Sequence, residues 1–299
     1  MLSTGPTTGL LRRDGLALAG IGVAEANPGR RFAPTRDTQS WRAVLDPLRS
    51  WHVAADRYWG RWESREGGMG RISQQRASRG SQRWLQHFVA SSPGVLDDAI
   101  GLGRLSWLSP LAEDAFSEYR DQAFVDLLGL RLTQRSLHSF WPRGGPVWDG
   151  LAHAPSGACV LLEAKAHSGE MSSSCTASAP ASVALNREAS RETQLGLGLE
   201  ATADWCQGFY QYANRLAHAY LLSELNGLPT ELVFLCFIGD SDIAGPVSRD
   251  EWQVAIDSVH RHLGIDNRLP AYVRNVFVDV DQAGLPYAPR AEVRQVDPD

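Results

Sequence analysis

Residues 158–167 read A-C-V-L-L-E-A-K-A-H. The run from Cys159 to Leu162 is continuous apolar sequence, the pattern of a strand covered on both faces. Such a strand should not end in charges without a reason. Side chains alternate along a strand, so Glu163 and Lys165 point to one face while Ala164 points to the other. A carboxylate and an ammonium are thereby set side by side at the rim of a core.

The chain holds 29 Lys+Arg, and Lys165 is its single lysine. Wherever a plain surface cation was needed, this sequence used arginine. An ammonium is a compact point charge that fits beside a metal-bound water, whereas a guanidinium is a wide planar fork. The plainer alternative is a chance survivor in an arginine-biased chain, with Glu163 as its ion-pair partner.

Upstream, residues 141–152 read W-P-R-G-G-P-V-W-D-G-L-A and place Asp149 in a second short apolar run. The spacing predicts strands over Leu130–Trp141, Pro146–His153 and Ala158–His167, joined by R-G-G-P and A-P-S-G turns. An Asp, a stretch with a turn, then Glu-x-Lys on a buried strand resembles the PD-(D/E)xK, or restriction-endonuclease-like, nuclease superfamily. The matching residues are Asp149, Glu163 and Lys165, and the order of elements extends the likeness over residues 111 to 240. No subfamily is indicated.

The resemblance implies an α/β fold: a restriction-endonuclease-like core whose mixed central sheet is flanked by helices, here with a helical N-terminal region. It implies Mg²⁺ or Mn²⁺ held by Asp149, Glu163 and the backbone carbonyl of Ala164, with Lys165 beside the reacting water. It also implies phosphodiester hydrolysis, with DNA the expected partner. Members often carry a glutamate on the helix before the first core strand. Glu118 is the candidate, on a helix predicted over Leu111–Leu128 and closed by Gly129; Glu113 and Asp126 compete. One branch carries Q-x-x-x-Y on the helix after the E-x-K strand. Gln207 and Gln211 approach that pattern imperfectly, since the tyrosines fall at 210 and 212. Two other readings stay open: a non-catalytic nucleic-acid- or protein-binding member of the fold, and an unrelated α/β enzyme with a structural Glu–Lys pair.

Charge is distributed unevenly. Residues 30–83 hold 12 arginines against 5 acids, whereas the chain as a whole carries a net charge of -5. The same front holds Trp41, Trp51, Trp59 and Trp62, with Trp84 just beyond. Arginine interleaved with aromatics suits a phosphate backbone and stacked bases. The plainer reading makes 41–63 and 81–90 amphipathic helices with Trp in the core and Arg on solvated faces. Residues 1–36 read as a poorly ordered leader, 37–110 as the helical basic region, 111–281 as the core and 282–299 as a tail.

Several classes of function lack a signal. No apolar run approaches a membrane span, and the protein is expected to be cytoplasmic. Cys159, Cys175, Cys206 and Cys236 show no paired metal-ligand spacing. His260 and His262 fall two apart on a predicted helix and so face different ways, which disfavours a histidine metal cage. Gly67, Gly68 and Gly70 lack the ending of a phosphate-binding P-loop. His153 and His167 share the parity of Asp149 and of Glu163/Lys165 and could touch phosphates, though exposed strand ends are the plainer reading. Ser168–Thr202 is too long for an ordinary connection, with a helix predicted over Ala181–Thr193 that carries Arg187 and Arg191. Further predictions are a helix over Asp204–Leu225, a buried strand over Glu231–Gly239, a helix over Arg249–Leu263 and a strand over Arg274–Val280. Oligomeric state is left open, a homodimer among the options.

Overall fold

The computed structural model describes residues 70–243, 245–246, 248–265 and 268–284. The leader at 1–36, the helix expected over 41–63, most of the basic front and the tail beyond 284 lie outside the described residues.

In chain order, a two-residue strand β1 (Arg71–Ile72) precedes helices α1 (Gly80–Ser91) and α2 (Pro93–Ile100). Pro93 begins α2, where its missing N–H would have had no helical partner, and Gly101 ends it at φ 72°. Then follow β2 (Ser106–Ser109), β3 (Glu118–Tyr119), α3 (Gln122–Leu127), α4 (Leu137–Phe140), β4 (Gly150–His153) and β5 (Cys159–Lys165). The second half is α5 (Pro180–Gly196), α6 (Tyr210–Tyr220), β6 (Thr230–Ile238), α7 (Arg249–Leu263) and β7 (Val273–Asp279). Ser248 starts α7 by accepting from the Glu251 N–H at 3.2 Å, and Gly264 ends it at φ 68°. Both terminal signals agree with its apolar face.

Five strands form one mixed sheet in the order β2-β4-β5-β6-β7. The β2–β4 and β4–β5 pairs are antiparallel; β5–β6 and β6–β7 are parallel. Helices cover both faces. Leu161, Phe234 and Cys236 join a core with Tyr212 and Leu216 of α6 and Trp252 and Ile256 of α7. Val160, Leu162, Ala164, Leu235 and Phe237 join a second core with Trp84 and Phe88 of α1 and Leu96 of α2. The period-two alternation of β5 therefore feeds two cores, as its unbroken apolar run requires.

The sequence expectations hold for β5, β6, α5, α7 and β7 to within a few residues at each end. The helix expected over Leu111–Leu128 is replaced by a 3-10 turn at Ala112–Asp114, then β3, then the short α3. Ala115, Phe116 and Asp121 take positive φ values of 49°, 48° and 52°, which no helix accommodates. Non-local partners win over local propensity: β3 pairs with β1, and Tyr119 bridges to Trp148. Gly129 does end α3, at φ 62°. The strand expected over Leu130–Trp141 is absent; that stretch holds α4, capped by the Ser136 hydroxyl accepting from the Ser139 N–H. Its place at the sheet edge is taken by β2, so residues before 111 contribute to the core sheet. Pro146–His153 is strand only from Gly150 onward. The helix expected from Asp204 begins at Tyr210 and continues as a π-helical turn, Leu221–Leu225, before Asn226 and Gly227 (φ 65°).

Candidate metal and phosphodiester site

The β4–β5 register sets Gly150 against Leu162 and Leu151 against Leu161. One further step along the same register would set Asp149 opposite Glu163, but β4 has already begun to leave the sheet. Beyond it, the edge of β5 is uncovered, and its backbone groups must find other partners. Asp149 Oδ2 accepts from the Ala164 N–H at 2.8 Å. Glu170, on the 3-10 turn Ser168–Met171, lies beside the Ala166 N–H, which offsets part of its burial. A residue in an extended strand sends its N–H and C=O to the same edge, so the Ala164 carbonyl faces this notch as well.

Glu163 and Lys165 project to the face covered by α6. Lys165 Nζ donates to Glu163 Oε1 at 2.5 Å and to Gln211 Oε1 at 3.2 Å. Arg215, one helical turn beyond Gln211 on α6, donates from Nε to Glu163 Oε2 at 2.7 Å. Its remaining donors reach the Asn214 side chain and the Val147 carbonyl, and its guanidinium lies 5.0 Å from the Trp148 ring centre. Both partners are desolvated, with side-chain exposures of 5% for Arg215 and 3% for Glu163.

These contacts fix the protonation states. Burial alone would raise the Glu163 pKa, but the charges of Arg215 and Lys165 override it and hold the carboxylate ionised. Burial would lower Lys165, yet Glu163 and Asp149 reverse the sign and keep it an ammonium. Asp149 takes the opposite course: burial and the neighbouring Glu163 charge push it from 3.8 up to about 8. The positive charge of Lys165 pulls it down but does not offset these two causes. Two carboxylates and a backbone carbonyl are hard oxygen donors of the kind that Mg²⁺ or Mn²⁺ accepts alongside water and phosphate oxygens. Among the described residues no group of three or more His, Cys, Asp or Glu side chains is arranged to hold a metal ion.

Glu118 reaches the same cluster, from a strand and not from the helix expected for it. Its carboxylate accepts from Gln82 Nε2 at 2.8 Å and Gln74 Nε2 at 3.0 Å, and burial raises its pKa with a further contribution from the Glu163 charge. Of its competitors, Asp126 accepts from Gln122 and Glu113 belongs to the 3-10 turn. Gln211 is brought to Lys165. Gln207 is not: it lies in the turn before α6, exposed, and its backbone carbonyl accepts from the Phe209 N–H. His153 sits at the far end of β4, about 13 Å of strand from Asp149. His167 accepts the Gly169 N–H at 2.9 Å on its Nδ1.

Space around the cluster is asymmetric. On the α6 side, between Lys165, Gln211 and Phe234, the gap is only about 10 Å³, room for one water at most. An open groove of about 570 Å³ lies instead beside the notch, lined by Arg79, Ser81, Gln82, His167, Gly169 and Glu170. It does not include Asp149, Glu163 or Lys165; it meets their cluster at Glu170, which accepts from Ser81 Oγ at 3.3 Å, and at Gln82, which holds Glu118. Burial raises the Glu170 pKa against the opposing charge of Lys165. Trp84 is a core residue, donating from Nε1 to Asp240 at 2.8 Å. Arg71 and Arg83 pair with Asp114 and Asp242, while Arg79 lines the groove.

Arg215 and Glu170 were missed in the sequence. Arg215 had a signal: with Gln211 it occupies i and i+4 on one helical face, and an arginine amid the apolar positions of a covered helix needs a buried anion. Glu170, in an S-G-E turn after the strand, had none. Comparison with protein-family models, with curated proteins and with solved structures finds no match. Among the described residues no helix is long and apolar enough to cross a membrane.

Proposed function

We propose that this chain is a metal-dependent nuclease with a restriction-endonuclease-like core, hydrolysing phosphodiester bonds of nucleic acid, DNA being the expected substrate. The observation that carries the reading is the meeting of Asp149, Glu163, the Ala164 edge and the lone Lys165 where β4 leaves β5. The strand order, antiparallel on one side of β5 and parallel on the other with α6 crossing between β5 and β6, supports the same core.

Asp149, Glu163 and the Ala164 carbonyl would hold Mg²⁺ or Mn²⁺, which when bound supplies an activated water and neutralises charge building on phosphate. Lys165, held protonated, donates a hydrogen bond and positive charge toward the pentavalent transition state and does not take a proton from water. Glu163 and Gln211 aim the ammonium. Arg215 keeps Glu163 ionised without Lys165 having to do so alone. Glu170, facing the groove with a raised pKa, is a carboxylate placed to receive a proton. The sum of the reaction is water plus a phosphodiester giving a phosphomonoester and an alcohol.

One observation favours a second reading. Glu163 is already neutralised by two cations, as a purely structural pair would be. Lys165→Arg separates the two, since a guanidinium preserves the pair but not a point charge. Purified protein with Mn²⁺ should cut at least one of plasmid, linear, single-stranded or branched DNA, and K165R should lose cutting with its circular dichroism unchanged. If all four substrates stay intact, or if K165R cuts like the parent, the nuclease reading fails.

A further inference from the structure

Cys175 and Cys206 are joined through their backbones, the Cys175 N–H donating to the Cys206 carbonyl at 2.9 Å. The flanking Ser173 N–H donates to the Gly208 carbonyl at 2.7 Å, and the Tyr210 N–H to the Ser173 carbonyl at 3.1 Å, so the two segments lie side by side. That bond brings the two backbones into direct contact, the approach that a disulfide requires. The Cys206 thiol also lies close enough to Cys175 for that neighbour to raise its pKa. Cys175 is half-exposed and its sulfur accepts from Asn186 Nδ2 at 3.2 Å, whereas Cys206 is buried. The other two cysteines cannot do the same. Cys159 pairs with Thr230 at one end of the β5–β6 ladder, and Cys236 pairs with Lys165 at the other.

We propose that Cys175 and Cys206 form a reversible redox pair, closed to an intramolecular disulfide by a low-molecular-weight disulfide and reopened by small thiols. Cys175, the accessible partner and the one with an amide donor at its sulfur, attacks as the thiolate. Its sulfur bonds to one sulfur of the small disulfide and expels the other as a thiol. Cys206 then loses its proton and attacks the Cys175 sulfur, forming the internal bond and releasing the second small thiol. The protein loses two electrons and two protons, and the oxidant gains both. Burial and the neighbouring Cys175 push the Cys206 thiol up to about 11, so Cys206 is suited to the second step and not the first. The closed form would tie the segment leaving β5, with α5, to the turn that opens α6, the helix that carries Gln211 and Arg215. This proposal does not depend on the nuclease reading.

Reduced full-length protein is equilibrated with oxidised and reduced glutathione across a range of ratios, quenched with an alkylating agent under denaturing conditions, and digested for mass spectrometry. The expected result is a fall from four alkylated cysteines to two, a linked peptide pair containing Cys175 and Cys206, and full reversal by excess thiol. The oxidised form should melt higher than the reduced form by on the order of 10 °C, since the bond closes a loop of about 30 residues. C206S should stop at a glutathione adduct on Cys175. Four free thiols retained at every ratio, or oxidation that ends in glutathione adducts or links between chains in the unaltered protein, would overturn the proposal.

Discussion

Asp149→Asn should make the protein more stable while removing its metal site. The folded chain holds the Asp149 proton up to about pH 8, whereas in an unfolded chain an aspartate releases it near 3.9. Below about pH 4 both states carry the proton, and this residue contributes no pH dependence. Between about 4 and 8 unfolding releases a proton, so stability falls as pH rises; above about 8 the loss is complete. Each pH unit corresponds to about 1.4 kcal/mol, giving an upper bound of about 5–6 kcal/mol. Water reaching the half-buried carboxyl reduces this to about 2–4 kcal/mol. Asparagine keeps an oxygen that can accept the Ala164 N–H and carries no charge to repel Glu163. Urea unfolding of both proteins from pH 4 to pH 9, in chelator, reads out this residue together with its repulsion from Glu163 and Glu118. D149N should match the parent at pH 4 and exceed it by about 2–4 kcal/mol at pH 9, and added Mn²⁺ should stabilise the parent alone. Parallel curves, or a D149N less stable at pH 9 than the parent, would refute the reasoning.

The remaining expectations concern the same cluster. Mn²⁺ affinity, measured by calorimetry, should rise about tenfold per pH unit from pH 6 and flatten near 8, because binding displaces the Asp149 proton. Arg215→Met should destabilise by about 3–5 kcal/mol in urea at neutral pH, since Glu163 loses its buried guanidinium partner; a change under about 1 kcal/mol would mean that the pair is not desolvated. Glu118→Gln should cost less than about 1 kcal/mol at acid pH and gain on the parent as pH rises, because burial raises the Glu118 pKa and disfavours its charged form. A constant difference across pH would contradict the raised value.

Legibility in the sequence followed how local the deciding forces were. β5 and β6 could be read because an unbroken apolar run admits few other fates, and α7 because its capping serine, apolar period and closing glycine agree. Residues 111–128 were misread because β3 pairs with β1 and bridges to Trp148, partners distant in sequence that no helical pattern reveals. Glu118 was selected from the right stretch but on the wrong element. Asp149, Glu163 and Lys165 converge as strand parity and a hairpin register dictate. Arg215 carried no such motif: the resemblance singled out Gln207 and Gln211 on the same helix, of which Gln211 alone reaches Lys165.

The account stands on a divalent ion fitting where β4 leaves β5. Crystals soaked in Mn²⁺ and measured at the manganese edge test this directly. The expected result is one anomalous peak between the carboxyl groups of Asp149 and Glu163, within bonding distance of the Ala164 carbonyl and lost in D149N. Absence of any peak at that edge, with Glu163 still bound only to Lys165 and Arg215, would contradict it.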